Sequence, residues 1–321
     1  MSTAEPGKML PVDPRPTYQL RSTANARIWQ RFMLFLLTLC ALVSIATTAG
    51  IIIMLVYESA GFFLNEQIEV GRFFTDTKWT VGQTQGELSY GIWPLVSGTF
   101  RITGIAMLIS LPIGLITAVY LSEYASQRTR SILKPTLEIL AGIPTVVLGF
   151  FAVKFITPWL LAPLGDFKTF NAGAAGIAVG ILCLPLVTSL AEDALRAVPV
   201  SLREGSYGLG ATKLETTIKV VIPAALSGII SAFLLALARA VGETMVVALA
   251  AGSSPTLTLD PRQPSQTMTG FIVETFKSEA VTPGTVNYYS IYAVAAVLFL
   301  LTFTITLIGQ IIRLRYREVY E

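Results

Sequence analysis

Histidine does not occur among the 321 residues. Its absence removes Ser-His-Asp and Cys-His nucleophilic chemistry and leaves no imidazole for a metal. Cysteine is nearly as scarce: Cys40 and Cys183 both lie in apolar runs, at no ligand spacing, and read as small buried hydrophobes, not as a disulfide or a zinc site. Charged residues make up 13% of the chain, against about 25% in soluble domains. The net charge of +3 is too small to argue for nucleic acid. No G-x-x-x-x-G-K-[ST] loop is present, so the chain does not cradle nucleotide phosphates in the usual way. Gly208-x-Gly210 lacks both the third glycine and the preceding strand of a dinucleotide fingerprint. If the chain takes part in active transport, the energy arrives from a partner or an ion gradient.

What is present is apolar length. The chain is 53% hydrophobic with a mean hydropathy of +0.65. Runs longer than the roughly 20 residues needed to cross a bilayer recur along it. The expectation is an all-α polytopic membrane protein with six transmembrane helices, at about 32–57, 97–121, 136–161, 172–190, 223–250 and 289–312. Residues 1–30 are polar and rich in proline and arginine, with no apolar core before a small-residue cleavage site, and read as a cytoplasmic tail. Residues 313–321 read as a second one, opened by Arg313, Arg315 and Arg317. Most Lys and Arg near the spans fall in these tails, the loop around Arg128, Arg130 and Lys134, and residues 192–222, which places both termini in the cytoplasm. Tyr57, Trp93, Trp159, Tyr288 and Tyr289 then mark outer span ends, and Trp29 an inner one.

Local chemistry refines this plan. From Glu58 to Gly91, Phe62, Phe63, Phe73, Phe74 and Trp79 alternate with Glu66, Glu69, Asp76 and Glu87, an outer segment expected to fold back on the membrane surface. Pro112 predicts a kink in the second span, and Gly142-Ile143-Pro144 with Gly149 predict bending or close approach in the third. Ala172-Gly-Ala-Ala-Gly-Ile suits tight packing in the fourth. Residues 252–286 read as an outer loop carrying an amphipathic patch at Met268, Phe271, Ile272 and Phe276.

Two features carry function. Residues 192–222 read as a polar helical hairpin: Ser201-x-x-Glu204 and Thr212-x-x-Glu215 have the pattern of capping boxes, Gly208 and Gly210 supply the turn, and Pro223 breaks the second helix. Such a knob either docks a partner or is merely a folded inner loop. The following span carries only Arg239 and Glu243, four residues apart, which predicts a buried ion pair. A charge at mid-membrane costs roughly 2.5 to 3.5 kcal/mol, so such residues face a pathway or pin the packing as a self-neutralising pair. Arg101 and Lys154 either snorkel to the outer interface or line a pore, while Glu123 and Glu138 near inner ends read as solvated.

These residues resemble a known family. Glu204-Gly205-Ser206, then Gly210, then Val220-Val221-Ile222-Pro223 look like the E-A-A, G, I-x-L-P signature of type I ABC-importer permeases (the MetI-like architecture), with small residues replacing the two alanines. Arg239-Ala-Val-Gly-Glu243-Thr244-Met245 is similar to the R-A-x-G-E-T-M stretch of phosphate-uptake permeases, as are Pro94-Leu-Val-Ser-Gly98-Thr and Glu138 to Gly149. The Met after Glu-Thr points to the C-type over the A-type permease. The resemblance implies a permease subunit, not an enzyme, that takes up phosphate along a pathway holding Arg239, Glu243 and Thr244; Arg101, placed by its depth in the second span, is the further candidate for that pathway. It implies ATPase coupling through Glu204, Gly205, Ser206, Gly208, Gly210, Ala211 and Thr212. The implied partners are an ATPase dimer that itself binds ATP and Mg, a sister permease forming a heterodimer, an extracytoplasmic phosphate-binding protein, and the lipid of a bacterial inner membrane. No cofactor or metal is expected in this chain, and no nucleic acid. The rival readings are a permease for molybdate or sulfate, a gradient-driven secondary transporter or channel, and a membrane-embedded enzyme using Glu.

Overall fold

A computed structural model describes residues 24–66, 68–81, 89–278 and 282–315, with side chains from Ile28 onward. Residues 1–23 of the expected first tail, Glu87, and residues 316–321 with Arg317 lie outside them. The described residues are helical almost throughout, and their one isolated β-bridge joins Trp79 to Tyr90.

Two units are distinguished, divided after Ile53. The first is the leading part of α1 (Ala24–Phe63), which begins inside the polar stretch read as tail. Every side chain from Ile28 to Ile51 on it is exposed. A helix so uniformly apolar needs lipid or protein around it.

The second unit holds α2 (Val70–Thr75), α3 (Trp93–Tyr124), α4 (Gln127–Ala141), α5 (Thr145–Leu164), α6 (Ala172–Arg196), α7 (Val200–Gly208), α8 (Lys213–Ala224), α9 (Leu226–Val241), α10 (Met245–Ala250), α11 (Met268–Lys277) and α12 (Val286–Arg315). By length and composition α1, α3, α5, α6 and α12 can each cross a membrane, and α8 with α9 supplies a sixth candidate. The architecture is therefore an all-α, multi-pass one.

Several expected boundaries move, each for a local reason. The stretch 136–161 is not one helix: its start belongs to α4, an amphipathic helix with no buried residue. Pro144 cannot donate to the ladder and disfavours α geometry at Ile143, so the chain breaks at 142–144 and restarts as α5. The basic residues Arg128, Arg130 and Lys134 thus sit on a helix instead of a loop. The stretch 223–250 is broken twice, by a 69° bend between α8 and α9 and again between Val241 and Met245. Pro223 lies inside α8, just before the first of these bends. The fourth span runs on past 190 to Arg196, absorbing the start of the expected hairpin, while α3 passes Pro112 as one helix.

The core is built on α3 against α6. A Cβ on Gly176 would stand 2.6 Å from Cβ of Ile105, and one on Gly114 2.6 Å from Cγ1 of Val187, so the small residues expected to pack tightly do so. At one end of this pair Phe62, Phe73, Trp79 and Tyr90 join Leu95, Met268, Phe271 and Val294 in a single cluster. Trp79 meets Phe271 edge to face at 4.9 Å. The aromatic segment expected on a membrane surface therefore packs onto protein, over α3, α11 and α12. At the other end Ala118, Leu195, Val198 and Val221 seal the root of the hairpin. These are called the aromatic end and the hairpin end below.

Candidate functional site

Arg239 and Glu243 are not paired. In an unbroken helix a four-residue spacing stacks them on one face. Here α9 ends at Val241 with Gly242 as its C-cap, and the change of direction carries Glu243 away. Oε1 of Glu243 accepts the N–H groups of Met245 at 3.1 Å and Val246 at 3.2 Å, and the Glu243 carbonyl accepts Thr269 Oγ1 at 2.7 Å. Glu243, 9% exposed, is thus the acceptor that closes the first turn of α10. Thr244 donates its hydroxyl to the Gly242 carbonyl within the same break.

Arg239, on the last turn of α9, makes no hydrogen bond or ion pair with any described residue. It lines a cavity of about 250 Å³ together with Lys134, Glu138, Thr188, Ser189 and Glu192. The carboxylates that share its cavity are therefore those of α4 and α6, not the one beside it in sequence. Glu138 makes no ion pair with a described residue. Glu192 is fully buried and heavily paired: Arg130 lies 2.6 Å away, Lys134 2.8 Å and Arg196 3.7 Å. Lys134 reaches Asp193 as well, at 3.1 Å. The Glu192 hydrogen bond is the main cause holding the Lys134 ammonium above its ordinary pKa, so this cation stays charged.

Arg101 is placed elsewhere. Only 8% exposed, it donates to the carbonyls of Thr258 (2.7 Å), Asp260 (3.0 Å) and Pro264 (3.4 Å). It neither snorkels nor joins Arg239; it ties the 251–267 loop to α3. Gly98 belongs to the same contact, since a Cβ there would run into the Gln266 carbonyl and stand 2.7 Å from Ser265 Oγ. Lys154 is exposed, its ammonium 6.0 Å from the Phe150 ring.

The hairpin forms as expected in outline. Thr212 and Glu215 make the reciprocal capping box, and the Thr212 backbone N–H is the first cause that lowers the Glu215 pKa. Gly210, at φ +83°, makes the turn that other residues adopt only with strain. Ser201 and Glu204 do not make theirs: Pro199 takes the N-cap position of α7 and offers no side-chain acceptor. Glu204, Gly205, Gly208, Gly210 and Thr212 are exposed, Ala211 is partly so, and Leu209 is 91% exposed at the tip. Ser206 Oγ meets Thr216 Oγ1 at 2.8 Å and locks the two helices together. Arg203 anchors the knob to the bundle, reaching Glu123 at 3.0 Å and the carbonyls of Val198 and Leu195 at 2.6 and 2.8 Å. Glu123 is consequently buried in a pair, not solvated. Sequence reasoning missed both the Glu192 cluster and the Arg203 anchor. The available signal was the four-residue spacing of Arg130 and Lys134, which puts two cations on one helical face.

Comparison with known proteins agrees with this geometry. The family model "Binding-protein-dependent transport system inner membrane component" matches residues 110–318. A phosphate transport system permease protein PstC of Xylella fastidiosa is 31% identical over 315 residues, covering 92% of this chain and 93% of its own. A phosphate transport system permease protein PstA 1 of Mycobacterium tuberculosis is 34% identical over 223 residues, covering 70% of each chain. A crystal structure of a bacterial ABC transporter involved in the import of alginate superposes with a TM-score of 0.62 at 15% identity, covering 91% of this chain and all of that one. With the hairpin, the multi-pass bundle and the matched span together, the chain belongs to the family of inner-membrane components of binding-protein-dependent transport systems.

Proposed function

We propose that this chain is a permease subunit of an ATP-driven ABC importer and that the anion it passes is inorganic phosphate, with Arg239 as its ligand inside the membrane. The observation that carries the reading is an unpaired guanidinium lining a cavity within an apolar bundle. Arg239 is exposed within the single chain, so its guanidinium is open to a ligand. A charge left without a partner at membrane depth is costly, and a passing oxyanion offsets that cost through two parallel N–H···O bonds. Glu138 and Ser189 share the cavity with Arg239. Glu138 then serves as the exchangeable counter-charge that lets the anion leave, taking the place of the Glu243 partner that the four-residue spacing suggested for Arg239. Arg101 has no part in this path.

The hairpin is the surface for a separate ATPase, which binds the ATP and Mg, and its closure is transmitted through Arg203 and Glu123 to α3. In this reading both termini and the hairpin face the cytoplasm, as the placement of Lys and Arg suggests. A sister permease and an external phosphate-binding protein complete the assembly; the similarity to relatives named for phosphate transport supports the substrate. Phosphate uptake by Arg239→Lys at wild-type membrane abundance is the test. Lysine keeps the charge and loses the fork, so uptake falls; normal uptake refutes the reading. Molybdate or sulfate competing better than phosphate in reconstituted vesicles refutes the substrate and leaves the class.

A further inference from the structure

At the hairpin end a second cavity, of about 430 Å³, opens between the end of α3, the start of α4, the end of α6 and the start of α7. Arg130, Arg196 and Arg203 line it, together with Glu123 and Gln127. It is distinct from the Arg239 cavity, although Glu192 joins the two through its ion pairs. Around this junction four cations (Arg130, Lys134, Arg196, Arg203) meet three carboxylates (Glu123, Glu192, Asp193), which leaves one positive charge in excess.

That excess is not spread evenly. Arg203 is fully committed to Glu123 and two carbonyls. Arg196 is half exposed, and its only ion-pair contact is at 3.7 Å, to the Glu192 oxygen that already holds Arg130. Nε of Arg130 is buried without a hydrogen-bond partner, and the Gln127 amide has none among the described residues. Val200, on the cavity wall, begins α7, where Pro199 gives no side-chain cap; the Pro199 carbonyl takes the Leu202 N–H at 3.3 Å, which leaves the N–H groups of Val200 and Ser201 open. Open donors therefore gather on the α4, α6 and α7 sides of the cavity, while the α3 side carries the Glu123 carboxylate that holds Arg203. An anion with several oxygens can meet the accessible ones together, the Arg196 guanidinium, the Gln127 amide and the open N–H groups of α7: guanidinium forks take a phosphoryl group in pairs, and an open helix start favours negative charge.

We propose that this cavity is a binding site for a phosphoryl anion at the root of the hairpin, held by Arg196, Arg130, Gln127 and the first amides of α7. Occupied, it ties α4, α6 and α7 together where the hairpin meets the bundle. The anion is either free phosphate or the headgroup of an acidic phospholipid, and the site does not depend on what the Arg239 cavity passes.

The test is amide hydrogen exchange of residues 200–204 in the full chain in nanodiscs. Inorganic phosphate is titrated into discs of neutral phosphatidylcholine, and discs containing phosphatidylglycerol are measured without phosphate. Slowed exchange with phosphate identifies the free anion as ligand, slowed exchange with phosphatidylglycerol identifies the headgroup, and either supports the site. Arg196→Gln, at a half-exposed position, weakens the effect by about tenfold, the loss of one charge-assisted pair of bonds. Arg196→Lys falls between, and Arg239→Gln leaves the effect unchanged. No slowing in either disc overturns the proposal, as does slowing that Arg196→Gln leaves intact or that Arg239→Gln removes.

Discussion

Arg101 and Arg239 each place a guanidinium in an apolar helix, and the molecule treats them in opposite ways. Arg101, at the aromatic end, has both terminal nitrogens on the carbonyls of Thr258, Asp260 and Pro264, with only Nε left buried and unpaired, so most of its charge is met by the backbone dipoles of one loop. Arg239 has no such partner and stands in a cavity between α4, α6 and α9. Depth in a span is therefore a poor guide to role; what separates a structural arginine from a working one is whether its donors are already taken. Stability should accordingly respond to Arg101, and transport to Arg239.

The largest effect is expected at Arg239. An anion crossing mid-membrane without its cation faces a barrier raised by roughly 2.5 to 3.5 kcal/mol, so Arg239→Gln lowers uptake about a hundredfold. Thermal stability of the purified chain stays at the wild-type value, because no described contact is lost. Uptake near wild type would erase the distinction between the two arginines.

Arg101→Leu should do the reverse. The Thr258 carbonyl loses its donor, and those of Asp260 and Pro264 keep only the longer contacts from the Gln263 N–H and Thr256 Oγ1, at a cost of about 2 kcal/mol in stability after partial rescue by water. Uptake per folded molecule is retained. A thermal shift with normal uptake at matched abundance confirms the contrast, and loss of uptake without loss of stability would return Arg101 to the pathway.

Gly98→Ala probes the same loop without touching charge. The added methyl meets the Gln266 carbonyl and Ser265 Oγ, both held against α3, and overpacking of this kind costs about 1 to 2 kcal/mol. The expected readout is a lower melting temperature with faster exchange of amides in 254–266, and no change in the amides of α7.

The same contrast explains how much of the molecule was legible in its sequence. Apolar length gave the multi-pass class and about how many spans there are, though not where two of them break, small residues gave the α3–α6 contact, and the Thr212 capping box and α11 formed where local patterning put them. Such features are set by neighbours within a turn or two. What was not legible depends on chain segments far apart: Lys134 meets Glu192 across 58 residues and Arg203 meets Glu123 across 80. The Ser201 capping box failed because one residue, Pro199, occupies the N-cap, and the Arg239–Glu243 pair failed because spacing implies proximity only while a helix continues.

Glu243 is the sharpest check on that last point, and the smallest in energy. If it acts by accepting the N–H groups of Met245 and Val246, the charge is dispensable and the oxygen is not. Glu243→Gln keeps an acceptor and should cost only a few tenths of a kcal/mol, whereas Glu243→Ala loses the cap and costs about 1 kcal/mol. In uptake, Glu243→Gln should then sit close to wild type, while Glu138→Gln, which removes the counter-charge in the Arg239 cavity, should lower both KM and the maximal rate, because the anion binds more tightly and leaves more slowly. A Glu243→Gln variant that is as stable as wild type but transports like Arg239→Gln would show that the two charges act together after all, in a conformation where the break at Gly242 has closed.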